Sequence, residues 1–297
     1  MDVTLTHNGR NDSLTFPILT ESNTPQFSID IGKPELNIYE HGELQPRFND
    51  TFSGLENYSI TSQLRGSSAY DDAILLADMI KSRQGNGEEL ELNVSGTNLD
   101  GYPTSPVFVA PAAEQEEAIS LTYAPGRTNV VDVEGSFTRV NQVRGTANQN
   151  ANTPTDDGEE VDDEIVRGPI TLSNGTDTVE LTEDIVVTRS VGRPNSPIRT
   201  SPRQHPNYTD QRKTAYDAFD IQFQMFDSGP SKAFTLARNL IQPQLGRSSL
   251  TLDFNGLFNL GSFNVIPSGS QAFRFQRIAG QKDVENAPTL SLRRVIA

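Results

Sequence analysis

The chain contains an internal repeat, and this repeat limits the folds that the sequence can adopt. Residues 72–96 align without a gap with residues 232–256. Each copy begins with apolar residues at helical spacing, continues through a break that contains glycine, and ends in alternating apolar and polar residues. These spacings are typical of one buried helix face followed by a half-buried strand. The match in residue type, order and spacing predicts an internal duplication.

The two copies use matching positions for their apolar residues. The helical stripes consist of Ala73, Leu76, Ala77 and Ile80, and of Ala233, Leu236, Ala237 and Leu240. The strands that follow consist of Leu90, Leu92 and Val94, and of Leu250, Leu252 and Phe254.

The similarity extends to the flanking sequence. Each half begins with a hairpin pattern around an Asn-Gly pair, in residues 3–16 and 170–181. A Pro-punctuated excursion follows, then an alternating strand, the helix, and three or four further strands. One helix cannot cover so much sheet, so we predict a mainly β chain of two tandem sandwich-like or barrel-like domains with one helix each. The predicted domains are residues 1–140 and 170–297, joined by an acidic linker at 141–169.

The charge balance indicates an unusual solvent. The chain of 297 residues has a net charge of −15, a pI near 4.6 and few lysines. At molar ionic strength, screening over about 3 Å removes the self-repulsion of such a chain. A halophilic host is therefore our interpretation, with an ordinary acidic protein as the alternative. The excess of acid also argues against general binding to nucleic acid through phosphates.

The sequence shows no pattern typical of catalysis. Cysteine is absent, and His7, His41 and His205 lack metal-ligand spacing. No nucleophile or phosphate-binding motif occurs, so we predict no enzyme activity, no cofactor and no metal site; a glycosidase-like β enzyme is a minor alternative. No run approaches the roughly 20 apolar residues of a membrane span, and the polar start is unlike a signal peptide, so we expect no membrane association and assembly in the cytoplasm.

The excursion of the second half, residues 185–215, is basic in an otherwise acidic chain. It could be a solvated loop, an arm that binds an acidic neighbouring subunit, or, with less support from aromatic residues, a contact for DNA. The candidate residues of an inter-subunit arm are Arg189, Arg193, Arg199, Arg203, Arg212 and Lys213.

The order hairpin, excursion, strand, helix and further strands resembles the tail-tube fold of tailed-virus tail tubes, type VI secretion tubes and baseplate hubs. The resemblance spans residues 3–140 and 170–295 and is architectural, without a short diagnostic motif. It implies six domains around a channel, hence a homotrimer of this two-domain chain with pseudo-sixfold symmetry. It further implies a virion tail location, other tail proteins as partners, and DNA that passes through the lumen during ejection without specific binding.

The resemblance implies a structural role, for which several forms stay open. The first is a stacked tail tube subunit, the second a baseplate hub or distal tail protein in a single ring, and the third a monomeric receptor-binding module. Polar positions of the repeated strand could line the channel, although plain solvent exposure explains them equally. These candidate channel residues are Glu89, Glu91, Asn93, Ser249, Thr251 and Asp253.

Overall fold

In the computed structural model, the described part of the chain is mainly β structure with one α-helix and a large antiparallel sheet. The described residues are 2–17, 27–32, 37–38, 47–48, 55–82, 90–95, 106–111, 118–124, 127–140, 143–144, 169–181, 183–192, 195–198, 207–210, 216–226, 240–241, 249–268, 272–277 and 284–295.

The first half contributes the helix α1 (Ala69–Lys81) and ten strands. The strands are β1 (Asp2–His7), β2 (Asp12–Pro17), β3 (Phe27–Gly32), β4 (Asn37–Ile38), β5 (Arg47–Phe48), β6 (Leu55–Arg65), β7 (Leu90–Ser95), β8 (Val107–Pro111), β9 (Ile119–Tyr123) and β10 (Val130–Arg139).

The remaining strands follow residue 140, and the first of them lies inside the predicted linker. They are β11 (Val143–Arg144), β12 (Ile170–Ser173), β13 (Thr178–Leu181), β14 (Glu183–Gly192), β15 (Asn195–Ile198), β16 (Asn207–Asp210), β17 (Tyr216–Phe226), β18 (Leu250–Asp253), β19 (Ser262–Pro267), β20 (Phe273–Arg277) and β21 (Val284–Arg294). A short 3-10 helix spans Leu257–Asn259.

The hairpins and the first helix are confirmed. β1 pairs with β2 and β12 with β13, each pair across a loop of four residues. In the first loop the left-handed conformation falls on Asn11 (φ 57°) rather than on the Asn-Gly pair, whereas in the second it falls on Gly175 (φ 86°). All four residues of the predicted α1 stripe are fully buried. Of the second predicted stripe only Leu240 is described, and it is buried; the other three positions lie outside the described residues.

Eight strands run side by side through the main sheet, and we call them the ribbon. Their order is β20-β21-β17-β14-β9-β10-β6-β3, with every neighbouring pair antiparallel. The second half supplies the first four strands and the first half supplies the last four. The two halves therefore meet where β14 pairs with β9.

Two branches of four strands leave the ribbon, one from β10 and one from β21. The branch β8-β7-β1-β2 ends in a strand that contacts β6, and the branch β19-β18-β12-β13 ends in a strand that contacts β17. Each branch thus returns over the ribbon, and α1 contacts β2, β6, β10 and β14 between these layers. The buried residues of the alternating strands face this space and form one hydrophobic core.

The strands of the two halves pair in the same order and register. Two backbone hydrogen bonds illustrate the match: Ser136 N donates to Ala118 O, and Ser291 N donates to Ala272 O. The register pairs that correspond are Leu5–Leu92 with Leu172–Leu252, Leu92–Val107 with Leu252–Phe263, Val109–Arg139 with Val265–Arg294, and Tyr58–Phe137 with Phe219–Leu292.

Candidate assembly interface

The junction of the two halves is a strand pair inside one chain. β14 and β9 pair over five residues, from Val187 opposite Tyr123 to Val191 opposite Ile119. On the core side, Val187 and Val191 are fully buried, as strict alternation in β14 requires. On the other side, the hydroxyls of Thr188 and Thr122 lie 3.3 Å apart. The junction is therefore an ordinary half-buried antiparallel pair, apolar on one face and polar on the other.

Aromatic side chains close the junction at one end. The ring of Phe258, from the second half, lies 5.7 Å from the ring of Tyr70 and 4.9 Å from the ring of Tyr123, both from the first half. Such edge and tilted contacts add stability beyond simple burial. Asn259 Nδ2 also donates to Asp71 Oδ1 at 3.0 Å, which connects the 3-10 helix to the first turn of α1.

A buried ionic cluster lies at the other end of α1. Arg189 in β14 donates from Nε and Nη2 to the two carboxylate oxygens of Asp217, at 3.0 and 2.9 Å. Lys81, the last residue of α1, places Nζ 3.6 Å from Asp217 Oδ2 and 3.2 Å from Asp78 Oδ1. The side chains of Lys81, Arg189 and Asp217 have no solvent exposure. Because buried charges are costly without partners, this cluster holds α1, β14 and β17 in one arrangement.

Aromatic faces complete the surroundings of the cluster. The guanidinium carbon of Arg189 lies 5.6 Å from the centre of the Phe219 ring, and that of Arg294 lies 5.0 Å from the centre of the Phe263 ring. Arg294 Nη1 also reaches Asp217 Oδ2 at 3.4 Å. Cations over aromatic rings are stabilised by the ring quadrupole, so the excess of positive charge around Asp217 is accommodated.

The matching position in the first half has a simpler arrangement. There Glu56 accepts a hydrogen bond from Arg139 Nη1 at 2.8 Å and another from the hydroxyl of Tyr58. Burial raises the pKa of the Tyr58 phenol well above its ordinary value, and the bond to Glu56 raises this pKa further. Arg139 lowers the same pKa, but less strongly. Tyr58 is therefore a fixed donor to Glu56 at neutral pH.

The structure corrects one residue of the predicted arm. Arg189 was predicted to reach a neighbouring subunit, but it lies in the middle of β14 and is bound to Asp217 of its own chain. The physical reason is alternation: Ile185, Val187, Arg189 and Val191 share the core side of the strand, and a carboxylate stands beside the one cation. The remaining arm candidates, Arg193, Arg199, Arg203, Arg212 and Lys213, lie outside the described residues.

The predicted channel residues lie on the branches, not on the ribbon. Glu91 and Asn93 are on the outward side of β7, and Thr251 and Asp253 are on that of β18. Ser249 is exposed just before β18, and Glu89 lies outside the described residues. The structure brings Glu91 near the first hairpin, where Asn8 Nδ2 donates to its carboxylate at 3.1 Å.

The outer side of the ribbon is a second polar surface, which the sequence reasoning missed. Its strands turn Ser, Thr, Gln and carboxylate side chains away from the core, at Ser59, Thr61, Gln63, Ser120, Thr122, Asp132, Glu134, Thr188, Asp220, Gln222 and Ser291. Arg65 and Arg293 lie on the same side. The signal was the alternation of each strand, but the pairing across the halves was needed to assemble the strands into one surface.

Within the described residues, no group of three or more His, Asp or Glu side chains is arranged to hold a metal ion. The described part of the chain also has no helix that is long and apolar enough to cross a membrane. The sequence matches no model of a known protein family and no curated protein.

Proposed function

We propose that the protein is a structural subunit of a viral tail tube, in which copies of the chain form rings around a DNA channel. The eight-stranded ribbon carries this proposal, because it is polar on one side, covered by a core on the other, and ends in a strand from each half. A closed barrel leaves no sheet edge open to further pairing, and a polar inner wall suits a water-filled channel.

The matching registers of the two halves support an internal duplication as the origin of the ribbon. Two similar units that already join head to tail in one chain extend naturally to a ring of several chains. Three copies, each with eight ribbon strands, would give a barrel of about 24 strands with pseudo-sixfold symmetry. This is the arrangement that the resemblance to tail-tube proteins implies.

The outer side of the ribbon would then line the channel, rather than the β7 and β18 positions suggested by the sequence. Asp132, Glu134 and Asp220 place carboxylates there, with Arg65 and Arg293 as counter-charges. A surface with no excess of cations offers DNA phosphates little to bind, so the genome would slide past it. The subunit would act by shape and charge, without catalysis.

Electron microscopy of the purified chain in molar salt tests the proposal. We expect rings with a central hole, stacked into tubes if the protein is a tail tube subunit and single if it belongs to a baseplate hub or distal tail. Molar salt is chosen because the net charge of −15 opposes assembly at low ionic strength. Isolated globules in both molar and dilute salt, with a monomer mass by light scattering, would refute ring formation and favour a monomeric binding module.

A further inference from the structure

The two end strands of the ribbon, β3 and β20, correspond to the two strands that join the halves inside the chain. β3 pairs with β6 as β14 pairs with β17, and β20 pairs with β21 as β9 pairs with β10. The registers place Ile29 at the position of Arg189, since the first stands opposite Tyr58 and the second opposite the matching Phe219. In the part of the chain that the structure describes, β14 and β9 have two neighbours each, whereas β3 and β20 have one.

The sequence of β3 agrees with this correspondence. Residues 27–34 read FSIDIGKP and residues 187–194 read VTRSVGRP, with the final Gly, basic residue and Pro in matching positions. Both strands therefore alternate in the same phase and end at the same point. A strand equivalent to β14 is expected to accept a partner equivalent to β9.

We propose that β3 of one copy pairs antiparallel with β20 of the next copy, in the register of the internal β14–β9 pair. The proposal rests on the ring-forming function above and names the surface that forms the ring. Transfer of the internal register gives a specific set of opposite residues: Phe27 with Arg277, Ser28 with Gln276, Ile29 with Phe275, Asp30 with Arg274, and Ile31 with Phe273.

The residue types at these transferred positions are complementary. Two pairs join apolar residues, one joins two polar residues, and one joins the opposite charges of Asp30 and Arg274. Directly opposite residues of an antiparallel pair share a face of the sheet, so apolar pairs fall on one side and polar pairs on the other. A shift by one residue would set Asp30 opposite an aromatic residue and lose this agreement.

The positions that carry cations in the internal junction are apolar in the proposed one. Arg189 corresponds to Ile29, and Lys81, by the gapless repeat, corresponds to Ile241. Both cations lie in the buried cluster around Asp217, and both are replaced together. An interface between copies must form from separate, hydrated surfaces, and apolar residues associate without the cost of desolvating fixed charges.

Disulfide trapping tests the register directly, because the chain contains no cysteine of its own. The variant Ser28→Cys with Gln276→Cys should form disulfides between copies when oxidised by copper-phenanthroline in molar salt, up to a closed covalent ring. Mixing the two single variants should give covalent dimers only. The matched internal control is Thr122→Cys with Thr188→Cys, which occupies the same register positions and should close within one chain.

A second control examines the other sheet ends, β2 and β13. Thr15→Cys with Glu180→Cys should give at least tenfold less cross-linking between copies than the 28/276 pair. Rings in the microscope without a 28/276 cross-link, or with an equal 15/180 cross-link, would overturn the proposed edge and leave the ring function intact. Neither rings nor cross-links would overturn both.

Charge reversal gives an independent readout. Asp30→Arg and Arg274→Asp should each raise the concentration needed for half-maximal ring assembly by tenfold or more, and the double reversal should restore most of it. Equal loss in the single and double variants would contradict the register. Circular dichroism of each variant as a monomer shows whether folding is retained.

Discussion

The carboxylates of Asp217 and Glu56 occupy matching positions in β17 and β6, but they have different surroundings. Asp217 is buried and receives Arg189, Lys81 and Arg294, whereas Glu56 is partly exposed and receives Arg139 and Tyr58. The shared element is the arginine near the end of the last ribbon strand, Arg294 or Arg139. The added cations come from α1 and β14, which meet Asp217 because the halves are joined there.

This difference shows how one pattern of strands serves two kinds of junction. A junction inside one chain forms during folding, when its charges can be paired as water leaves, and a buried cluster then fixes the arrangement of α1, β14 and β17. At the ribbon end near Glu56, the matching positions hold Ile29 and Ile241, so the same geometry can be left open until another copy arrives. The predictions below test how far the two halves are equivalent.

The largest expected effect is the loss of the Asp217 charge. Asp217→Asn should lower the free energy of unfolding by about 3–5 kcal/mol, because it leaves Arg189 and Lys81 buried without their shared carboxylate. Glu56→Gln is the matched control and should cost about 1 kcal/mol or less, since Glu56 and Arg139 are 16% and 33% exposed. Urea unfolding followed by circular dichroism measures both, and equal losses would show that the cluster adds nothing beyond the pair common to both halves.

The second prediction concerns a difference in packing between the halves. Gly135 in β10 corresponds to Leu290 in β21, and the larger neighbour Phe137 corresponds to Leu292. A Cβ on Gly135 would lie 3.2 Å from Ile119 Cγ2 and 3.2 Å from Phe137 Cε2. Gly135→Leu should therefore cost about 1–3 kcal/mol through overpacking.

The double variant Gly135→Leu with Phe137→Leu copies the second half into the first. It should be more stable than the sum of its single variants predicts, with a coupling of about 1 kcal/mol or more in a double-mutant cycle. Calorimetric unfolding of the four proteins measures this coupling. Strict additivity would mean that the two halves pack their cores independently of the glycine-for-leucine exchange.

Much of this fold could be predicted from the sequence, because alternation and helical spacing are local signals. The hairpins, α1, and the strands around Leu90, Tyr58 and Leu250 follow directly from such patterns. The place of β14 was missed because its alternating residues were assigned to a basic, Pro-rich excursion. Alternation identifies the buried face of a strand but not its neighbours, and the β14–β9 pair joins residues far apart in the chain.

The candidate interface was harder to predict than the fold. Arg189 looks like a surface cation in the sequence, and only the pairing of β14 with β17 places it beside Asp217, 28 residues away. The channel candidates on β7 and β18 were chosen for polar alternation, which the ribbon strands share. A polar face cannot be assigned to a channel until the order of the strands is known, and that order depends on contacts between the halves.

The smallest expected effect concerns the phenol that distinguishes Tyr58 from the matching Phe219. Tyr58→Phe removes the hydrogen bond to Glu56 and should lower the free energy of unfolding at pH 7 by about 1 kcal/mol. Burial and Glu56 raise the pKa of Tyr58 in the folded chain, while the unfolded phenol titrates near pH 10. The bond's contribution is therefore complete below about pH 10 and is lost as the pH rises above it, because the unfolded state releases the proton first. Unfolding of the two proteins from pH 8 to 11.5 should show the wild-type advantage shrinking at the alkaline end, and a constant difference would mean that Tyr58 ionises as easily folded as unfolded.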